Sequence, residues 1–228
     1  MTILRKRLRE PGISQAVIQK KTMHLIERKY SEKWFASDEQ FNRLYPLSIQ
    51  AHAQRHWTPL HVARRAAMFL GMQKNDRIAD IGSGTGKFCL AAAYYTPDAL
   101  FFGIEHRKNL VRYSDSANEI LRLKNVSFIH GNFAQLDFGN YDHFYFYNSF
   151  YEHLSRADRI GDSSDCSREL YTYYVRHLFK QLEQKPTGTR LATFYSLEEE
   201  MPKGFHLAGA EMNGLLKFWV KSDLTIVK

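Results

Sequence analysis

Short apolar runs alternate with segments of helical spacing along most of this chain. Compact apolar runs occupy residues 78–81, 100–104, 126–129 and 143–147, which is the length of buried strands. A helix is predicted before the first run, from Thr58-Pro59 to Gly71, and two more lie between the first three runs, over 86–95 and over 107–124. Strands that alternate with helices in this order predict βαβ units and a parallel sheet.

The C-terminal third follows a different pattern. A polar stretch at 152–165 predicts a loop, and residues 167–183 carry leucine and tyrosine four positions apart, as in a helix. A strand is predicted over 190–195, followed by two strands at about 205–211 and 215–221. Asn213-Gly214 joins the last two, and Asn-Gly between apolar runs predicts a β-hairpin.

The N-terminal segment reads as a helical appendage. A helix is predicted from Ser14 to about Tyr30, a short turn follows at 31–36, and Ser37 offers a further helix start that Pro46 interrupts. The apolar faces of these helices need the main domain or another subunit for cover. We therefore divide the chain into a basic helical appendage, 1–56, and a main domain, 57–228.

Composition narrows the class of protein. The chain has 228 residues, 44% of them hydrophobic, which suits one domain with a full core. It has no apolar run of the roughly 20 residues that span a bilayer, and no secretory signal is recognisable. Its two cysteines, Cys89 and Cys166, form neither a disulfide framework nor a Cys-rich zinc site. We expect a cytoplasmic protein with no bound metal and no membrane partner.

The net charge of +8 is concentrated at the N-terminus. Residues 1–37 contain nine Lys or Arg and three Glu, a net charge of +6. Such a basic arm predicts attraction to RNA or to an acidic protein surface, whereas a merely solvated terminus remains an open alternative.

A glycine-rich loop follows the first strand. Asp80 precedes it, and Gly82, Ser83, Gly84 and Gly86 form it, which allows tight turning and close approach of a ligand. The dinucleotide pattern G-x-G-x-x-G requires glycine where Lys87 stands, and the phosphate loop requires Ser or Thr where Phe88 stands. A nucleotide-like ligand of another kind is therefore expected, and a glycine turn without a ligand remains open.

The spacing D-x-G-x-G-x-G resembles the first motif of class I S-adenosylmethionine (SAM)-dependent methyltransferases. The resemblance implies a Rossmann-like sheet of seven mainly parallel strands with a C-terminal antiparallel hairpin, and SAM as cofactor. Asp80 and the loop would face its methionine part. Glu105, at the end of the second strand, would accept hydrogen bonds from the ribose hydroxyls. Asn132 would bond the adenine amine, and Phe133 would pack on the adenine ring.

A second resemblance concerns the methyl acceptor. Asn148, with Tyr151 three residues later, resembles the Asn/Asp-Pro-Pro-Tyr/Phe element of amino-group methyltransferases, although both prolines are absent. Residues 57–153 also resemble the non-SET lysine methyltransferases through Trp57-Thr58-Pro59, the glycine loop and the segment around Asn148. This resemblance implies an enzyme that methylates a protein lysine and has Asn148 and Tyr151 as its catalytic residues. Glu152 or His153 would be the general base if one is needed.

Two alternatives remain open on the sequence. A SAM-dependent methyltransferase could act on RNA or on a small molecule instead of a protein lysine. A catalytically silent binding protein could keep the same fold, although retention of the loop, Glu105 and Asn148 argues against it.

Overall fold

The computed structural model describes residues 32–51, 53, 57–147, 168–196 and 201–223, and the side chains of 168–171 are not described. Within these ranges the strands are β1 (Arg77–Ile81), β2 (Leu100–Glu105), β3 (Val126–His130), β4 (His143–Phe146), β5 (Arg190–Phe194), β6 (Phe205–Glu211) and β7 (Leu216–Lys221). The helices are α1 (Asp38–Asn42), α2 (Leu47–Gln50), α3 (Leu60–Leu70), α4 (Lys87–Tyr95), α5 (Lys108–Leu121) and α6 (Arg168–Glu183). The predicted helix at 14–30 and loop at 152–165 lie outside the described residues.

The described strands form one seven-stranded sheet in the order β3-β2-β1-β4-β5-β7-β6. The first five of these pair in parallel, whereas β7 runs antiparallel to both β5 and β6. The chain leaves β1 towards β2 and β3 on one side, and β4 continues on the other. The predicted fold class is thus confirmed, and the strand order reverses between β1 and β4.

Helices cover both faces of the sheet, which explains the continuous apolar character of its central strands. In β1, four of the five residues are buried. One face packs against α3, α4 and α5 in a core that includes Leu70, Leu90 and Phe101. The other face packs against α6 through Leu178 and Leu182. Strands covered on both sides lose the polar alternation of a half-exposed sheet.

The connection from β3 to β4 contains two short 3-10 turns, Phe133–Gln135 and Phe138–Asn140, instead of an α-helix. Side-chain caps hold both turns: Asn132 accepts from the backbone N–H of Ala134 at 2.9 Å, and Asp137 accepts from that of Gly139 at 2.9 Å. Asn and Asp compete for backbone hydrogen bonds in this way, which favours turns over helix. The sequence pattern did not predict these turns.

Residues 32–51 pack on the same core as the main domain. The Ser37 hydroxyl accepts from the Gln40 N–H at 3.1 Å and caps α1, as its sequence position predicts. The Phe35 ring stacks on Tyr94 of α4 at 3.9 Å, and Phe41 is fully buried. The main domain therefore covers Phe35, Phe41 and Tyr45 of this described part, whereas Leu47 stays exposed. The boundary at residues 56 and 57 remains a prediction.

The C-terminal hairpin turns where Asn213-Gly214 predicts. Met212, Asn213 and Gly214 all have positive φ, between 56° and 82°, and β7 begins at Leu216, one residue later than predicted. Glycine and asparagine tolerate this backbone region best. In the part of the chain that the structure describes, every helix is too short or too polar to span a membrane.

Candidate active site

A polar pocket lies at the carboxyl ends of β1 and β4, where the strand order reverses. Open α/β sheets bind ligands at such a position, because the loops leaving the two central strands diverge there. Asp80 and the glycine loop form one wall of the pocket, and Tyr145 and Tyr147 of the β4 end form another. Trp57 and Thr58, just before α3, complete it.

Two loop glycines have different physical reasons to be glycine. Gly86 has φ +80°, and a Cβ there would lie 2.5 Å from the Phe128 ring and 2.8 Å from Ser114 Oγ. Gly84 has φ +56°, yet a Cβ there would meet no atom within 4 Å. Gly86 is thus required by packing, whereas Gly84 turns the backbone beside open space that a ligand can enter.

Asp80 is the buried acid of the pocket, with 3% of its surface exposed. Burial raises the pKa of its carboxyl to about 8; the hydrogen bond from Cys89 Sγ, at 3.5 Å, opposes this shift and the nearby Glu105 charge adds to it. A cation placed beside a buried carboxyl stabilises its ionised form and so lowers the raised pKa. The SAM ammonium assigned to Asp80 by the sequence is such a cation.

Glu105 is almost fully buried at the end of β2 and is held by neighbouring donors. Its carboxylate accepts from the Gly84 N–H at 3.0 Å, and from the N–H, Nε and Nη2 of Arg107 at 2.8, 2.9 and 3.2 Å. Burial acts to raise its pKa, but the charge and hydrogen bonds of Arg107 outweigh burial, so the pKa lies below its usual value. A carboxylate accepts about four hydrogen bonds. Ribose hydroxyls can therefore bind Glu105 only if the Arg107 guanidinium gives way.

Asn132 and Phe133 follow β3, as predicted, but both already have partners. Asn132 Oδ1 caps the first 3-10 turn, and Nδ2 donates to the Tyr174 hydroxyl at 3.2 Å. Since a carbonyl oxygen has two lone pairs, Oδ1 can accept one further bond, such as one from an adenine amine. The Phe133 ring is 7% exposed and packs 5.2 Å from Tyr174 and 5.8 Å from His177. It offers an adenine ring little surface, and its predicted role remains untested.

Three side chains of the pocket carry buried polar atoms without a hydrogen-bond partner among the described residues. They are Trp57 Nε1, Ser83 Oγ and Thr85 Oγ1. Buried polar groups in proteins are normally bonded, and an orphaned one costs about 1–3 kcal/mol. Donors of this kind beside the acid Asp80 fit the amino-acid end of SAM, which carries both a carboxylate and an ammonium. The chemistry of the pocket thus fits the cofactor that the loop predicts.

Lys87 lines the same pocket, and its side chain is only 4% exposed. Its Nζ donates to Asp38 Oδ1 at 2.5 Å and to Asn42 Oδ1 at 2.9 Å, both on α1. Burial lowers the pKa of Lys87, and the hydrogen bond and charge of Asp38 oppose that shift. Tyr45 also reaches the loop and donates to the Thr85 carbonyl at 3.0 Å.

Sequence reasoning found the loop but missed some of these pocket residues. Lys87 served there only to exclude the dinucleotide pattern, and Thr85 received no role. The available signal for Lys87 was a lysine at the start of an otherwise apolar helix, where a buried charge requires a partner from elsewhere in the fold. The partners, Asp38 and Asn42, lie more than forty positions earlier in the chain.

The acceptor side of the site is described as far as Tyr147. Asn148 and Tyr151 lie outside the described residues, so their predicted roles remain predictions. The Tyr147 ring lies 5.0 Å from Phe194 and 5.9 Å from Tyr195, at the end of β5. We call Tyr147, Phe194 and Tyr195 the aromatic rim. Tyr195 is 52% exposed and has φ +59°, a strained value for a bulky residue.

The fold and the site together define a class I SAM-dependent methyltransferase. The family model described as "Methyltransferase domain" matches residues 72–202, more than half of the chain. The chain belongs to this methyltransferase family. Family and fold confirm the predicted enzyme class and its methyl donor, SAM. Among the described residues, no group of three or more His, Cys, Asp or Glu is placed to hold a metal ion.

Similar proteins act on different acceptors. Over 100 residues the chain is 29% identical to the release factor glutamine methyltransferase of Buchnera aphidicola, covering 37% of this chain and 36% of the relative. Over 87 residues it is 37% identical to the tRNA (guanine-N(7)-)-methyltransferase of a Synechococcus species, covering 37% and 34%. The chain thus spans about a third of the length of these curated relatives.

The fold also resembles that of TrmN from Thermus thermophilus. The TM-score is 0.50 at 18% identity, over 75% of this chain and 51% of the TrmN chain. Identity this low concerns the fold alone. The resemblance to lysine methyltransferases is not confirmed by any of these matches.

Proposed function

We propose that this protein transfers the methyl group of SAM to a nitrogen of an RNA base. The observation that carries the proposal is that the polar pocket and the aromatic rim are adjacent and share one residue. Tyr147 belongs to both: it lines the pocket beside Asp80, and its ring contacts those of Phe194 and Tyr195. A cofactor held by the loop would meet its acceptor at this residue.

On the cofactor side, the proposal keeps the residues chosen from the sequence. Asp80, Gly82, Ser83, Gly84 and Gly86 would hold the methionine part. Glu105 would bind the ribose once Arg107 gives way, and Asn132 would use its remaining acceptor lone pair for the adenine amine. Phe133 would contact the adenine ring through the edge of its own nearly buried ring.

On the acceptor side, aromatic side chains suit a planar base. Stacking on an aromatic ring contributes about 1–3 kcal/mol per base and tolerates any base identity. Burial, with a smaller contribution from Tyr195, raises the pKa of Tyr147 to about 12. Tyr147 is therefore a neutral phenol near pH 7, so it shapes the site and does not serve as a general base.

SAM, when bound, supplies an electrophilic methyl group on its sulfonium sulfur. The chain has to orient a nitrogen lone pair towards that group and to exclude water. Asn148 would accept a hydrogen bond from an acceptor amine, and Tyr151 would pack on the acceptor, as the sequence predicts for them. Positioning of this kind can supply much of the rate enhancement without a dedicated base.

RNA is favoured as the acceptor by the sequence similarity and the charge. Of the two relatives, the one with the higher identity, 37%, is named for tRNA guanine methylation. The net charge of +8, most of it in residues 1–37, suits a polyanion. A protein nitrogen is the second candidate, because the other relative is named for glutamine methylation of a release factor. A protein lysine belongs to this second candidate.

A transfer assay separates the two acceptors. The full-length protein is incubated with methyl-tritiated SAM and a cell lysate, and the products are then treated with either nuclease or protease. We expect the label to become acid-soluble after nuclease and to survive protease. Label that survives nuclease and is released by protease would favour the protein candidate. The Glu105→Ala variant, which should lose cofactor affinity first, is the negative control.

A further inference from the structure

The glycine loop has little backbone capacity left for an anion. The N–H groups of Gly82 and Ser83 both donate to the Ile104 carbonyl at 2.9 Å. The Gly84 N–H donates to Glu105, and the Gly86 N–H donates to the Ser83 carbonyl at 2.8 Å. These four groups maintain the loop itself. A carboxylate that enters the pocket therefore needs other donors.

Side-chain donors without partners line the same pocket. Trp57 is 5% exposed and Thr85 is 3% exposed, and neither Trp57 Nε1 nor Thr85 Oγ1 has a hydrogen-bond partner among the described residues. An indole N–H can only donate, so Trp57 calls for an acceptor. An arriving carboxylate would satisfy both groups and remove the cost of leaving them unpaired.

The charges of the pocket match an α-amino acid. Asp80 is the acid and Lys87 the base among its described lining residues. The Lys87 ammonium lies 5.6 Å from the centre of the Trp57 ring, so its positive charge is close to the indole donor. Hydrogen bonds to Asp38 and Asn42 fix that ammonium in place. The ammonium of an amino acid would therefore bind beside Asp80, and its carboxylate would bind near the Trp57 N–H and the Lys87 ammonium.

We infer that Trp57 and Thr85 bind the carboxylate of the cofactor's amino-acid end, while Asp80 takes its ammonium. This inference rests on the proposed use of SAM at this pocket. It moves recognition of the carboxylate from the loop backbone to two side chains, one of which lies twenty-five positions before the loop. Helix α1, Tyr45 and Trp57 thereby help to form the cofactor site as well as to cover the core.

Two ligands test the inference by calorimetry. S-adenosylhomocysteine (SAH) carries the amino-acid end, and 5′-methylthioadenosine lacks it but keeps the adenosine and the sulfur. We expect Trp57→Phe and Thr85→Val each to weaken SAH binding about tenfold, the loss of one hydrogen bond to a charged group. Binding of methylthioadenosine should change less than about twofold, because neither side chain would touch it.

Matched controls are a tryptophan and a threonine outside the pocket whose polar atoms are also buried without a partner in the described part of the chain. Trp34 Nε1 and Thr96 Oγ1 are also buried without a partner among the described residues. Trp34→Phe and Thr96→Val should leave the affinity for SAH unchanged. The melting temperature of each unliganded variant reports folding, and a merely structural role for Trp57 or Thr85 would lower it without discriminating between the ligands.

The outcomes separate this inference from the proposed function. Wild-type affinity for SAH in both pocket variants, or equal weakening of both ligands, would overturn the inference alone. Failure of the wild-type protein to bind SAH at millimolar concentration would overturn the proposed function and the inference with it. If one pocket variant does not fold, the other decides the result.

Discussion

We expect Asp80 to make cofactor binding depend on pH. Burial raises the pKa of its carboxyl to about 8 in the unliganded protein, so below that pH an incoming ammonium must displace a proton. We expect the association constant for SAH to rise with pH from 6 towards 8, by up to about tenfold per unit. The rise should level off near pH 8, because above that pH Asp80 is already ionised in the unliganded protein. Calorimetry at several pH values measures the slope.

The Asp80→Asn variant is the control for this slope, because its amide cannot titrate. The unfolded chain ionises Asp80 near its ordinary value of 3.8, whereas the folded chain keeps it protonated up to about pH 8. The free energy of unfolding therefore falls between those pH values in the wild-type protein and not in the variant. At pH 8 the variant should melt several degrees higher. A pH-independent SAH affinity in the wild-type protein would contradict the assignment.

Gly84 and Gly86 offer a matched pair of alanine substitutions. Both backbones have positive φ, which costs alanine about 1–2 kcal/mol. Gly86→Ala adds a clash with Phe128, for a total loss of about 2–4 kcal/mol in the free energy of unfolding. Gly84→Ala adds no clash but places a methyl group in the ligand's space, so SAH affinity should fall at least about tenfold. Urea unfolding and calorimetry should rank the two variants oppositely.

Helix α1 reaches the active site through one ion pair whose two partners differ in exposure. The Lys87 side chain is 4% exposed, and that of Asp38 is 43% exposed. Asp38→Ala leaves a buried ammonium without its counter-ion, which should cost about 2–3 kcal/mol of unfolding free energy. Lys87→Met leaves a carboxylate that water can solvate, so its cost should stay below about 1 kcal/mol of unfolding free energy. Urea titration compares them, and the reverse order would show that the buried Lys87 ammonium does not depend on Asp38 as its counter-ion.

Elements whose pattern is local were predictable, and contacts between distant elements were not. β1 and α4 carry their own apolar runs, and Ser37 lies at a helix start with its capping target three residues away. By contrast, the hydrogen bond from Lys87 to Asp38 joins residues 49 positions apart. The bonds from Arg107 to Glu105 are local in sequence, but they depend on side-chain directions in the folded chain. No spacing rule in the sequence indicates that an acid at the end of β2 already has a partner.

At the scale of the whole molecule, parallel pairing explains why the site could be predicted in outline. Parallel strands place their carboxyl ends at one edge of the sheet, so residues after β1, β2 and β3 converge on one ligand. That logic agrees with the order along the cofactor, Asp80, Glu105 and Asn132, that the family resemblance predicts. The same logic puts the ends of β4 and β5 at that edge, but it does not predict the ring contacts of the aromatic rim, which depend on side-chain packing.

The charge distribution of the whole chain yields a test of RNA binding. If the basic N-terminal arm contacts phosphates, Lys20→Gln with Lys21→Gln should weaken binding to a mixed-sequence single-stranded RNA and lower its salt dependence. Two lost phosphate contacts should make the slope of log K against log salt shallower by about 1.4.

Lys74→Gln with Lys124→Gln is the matched control, since these residues precede β1 and β3 at the opposite edge of the sheet. Fluorescence anisotropy over a salt series measures both slopes, with SAH affinity checked in parallel. Equal slopes for the two double variants would show that the arm contributes only general charge, and the RNA proposal would lose its electrostatic support.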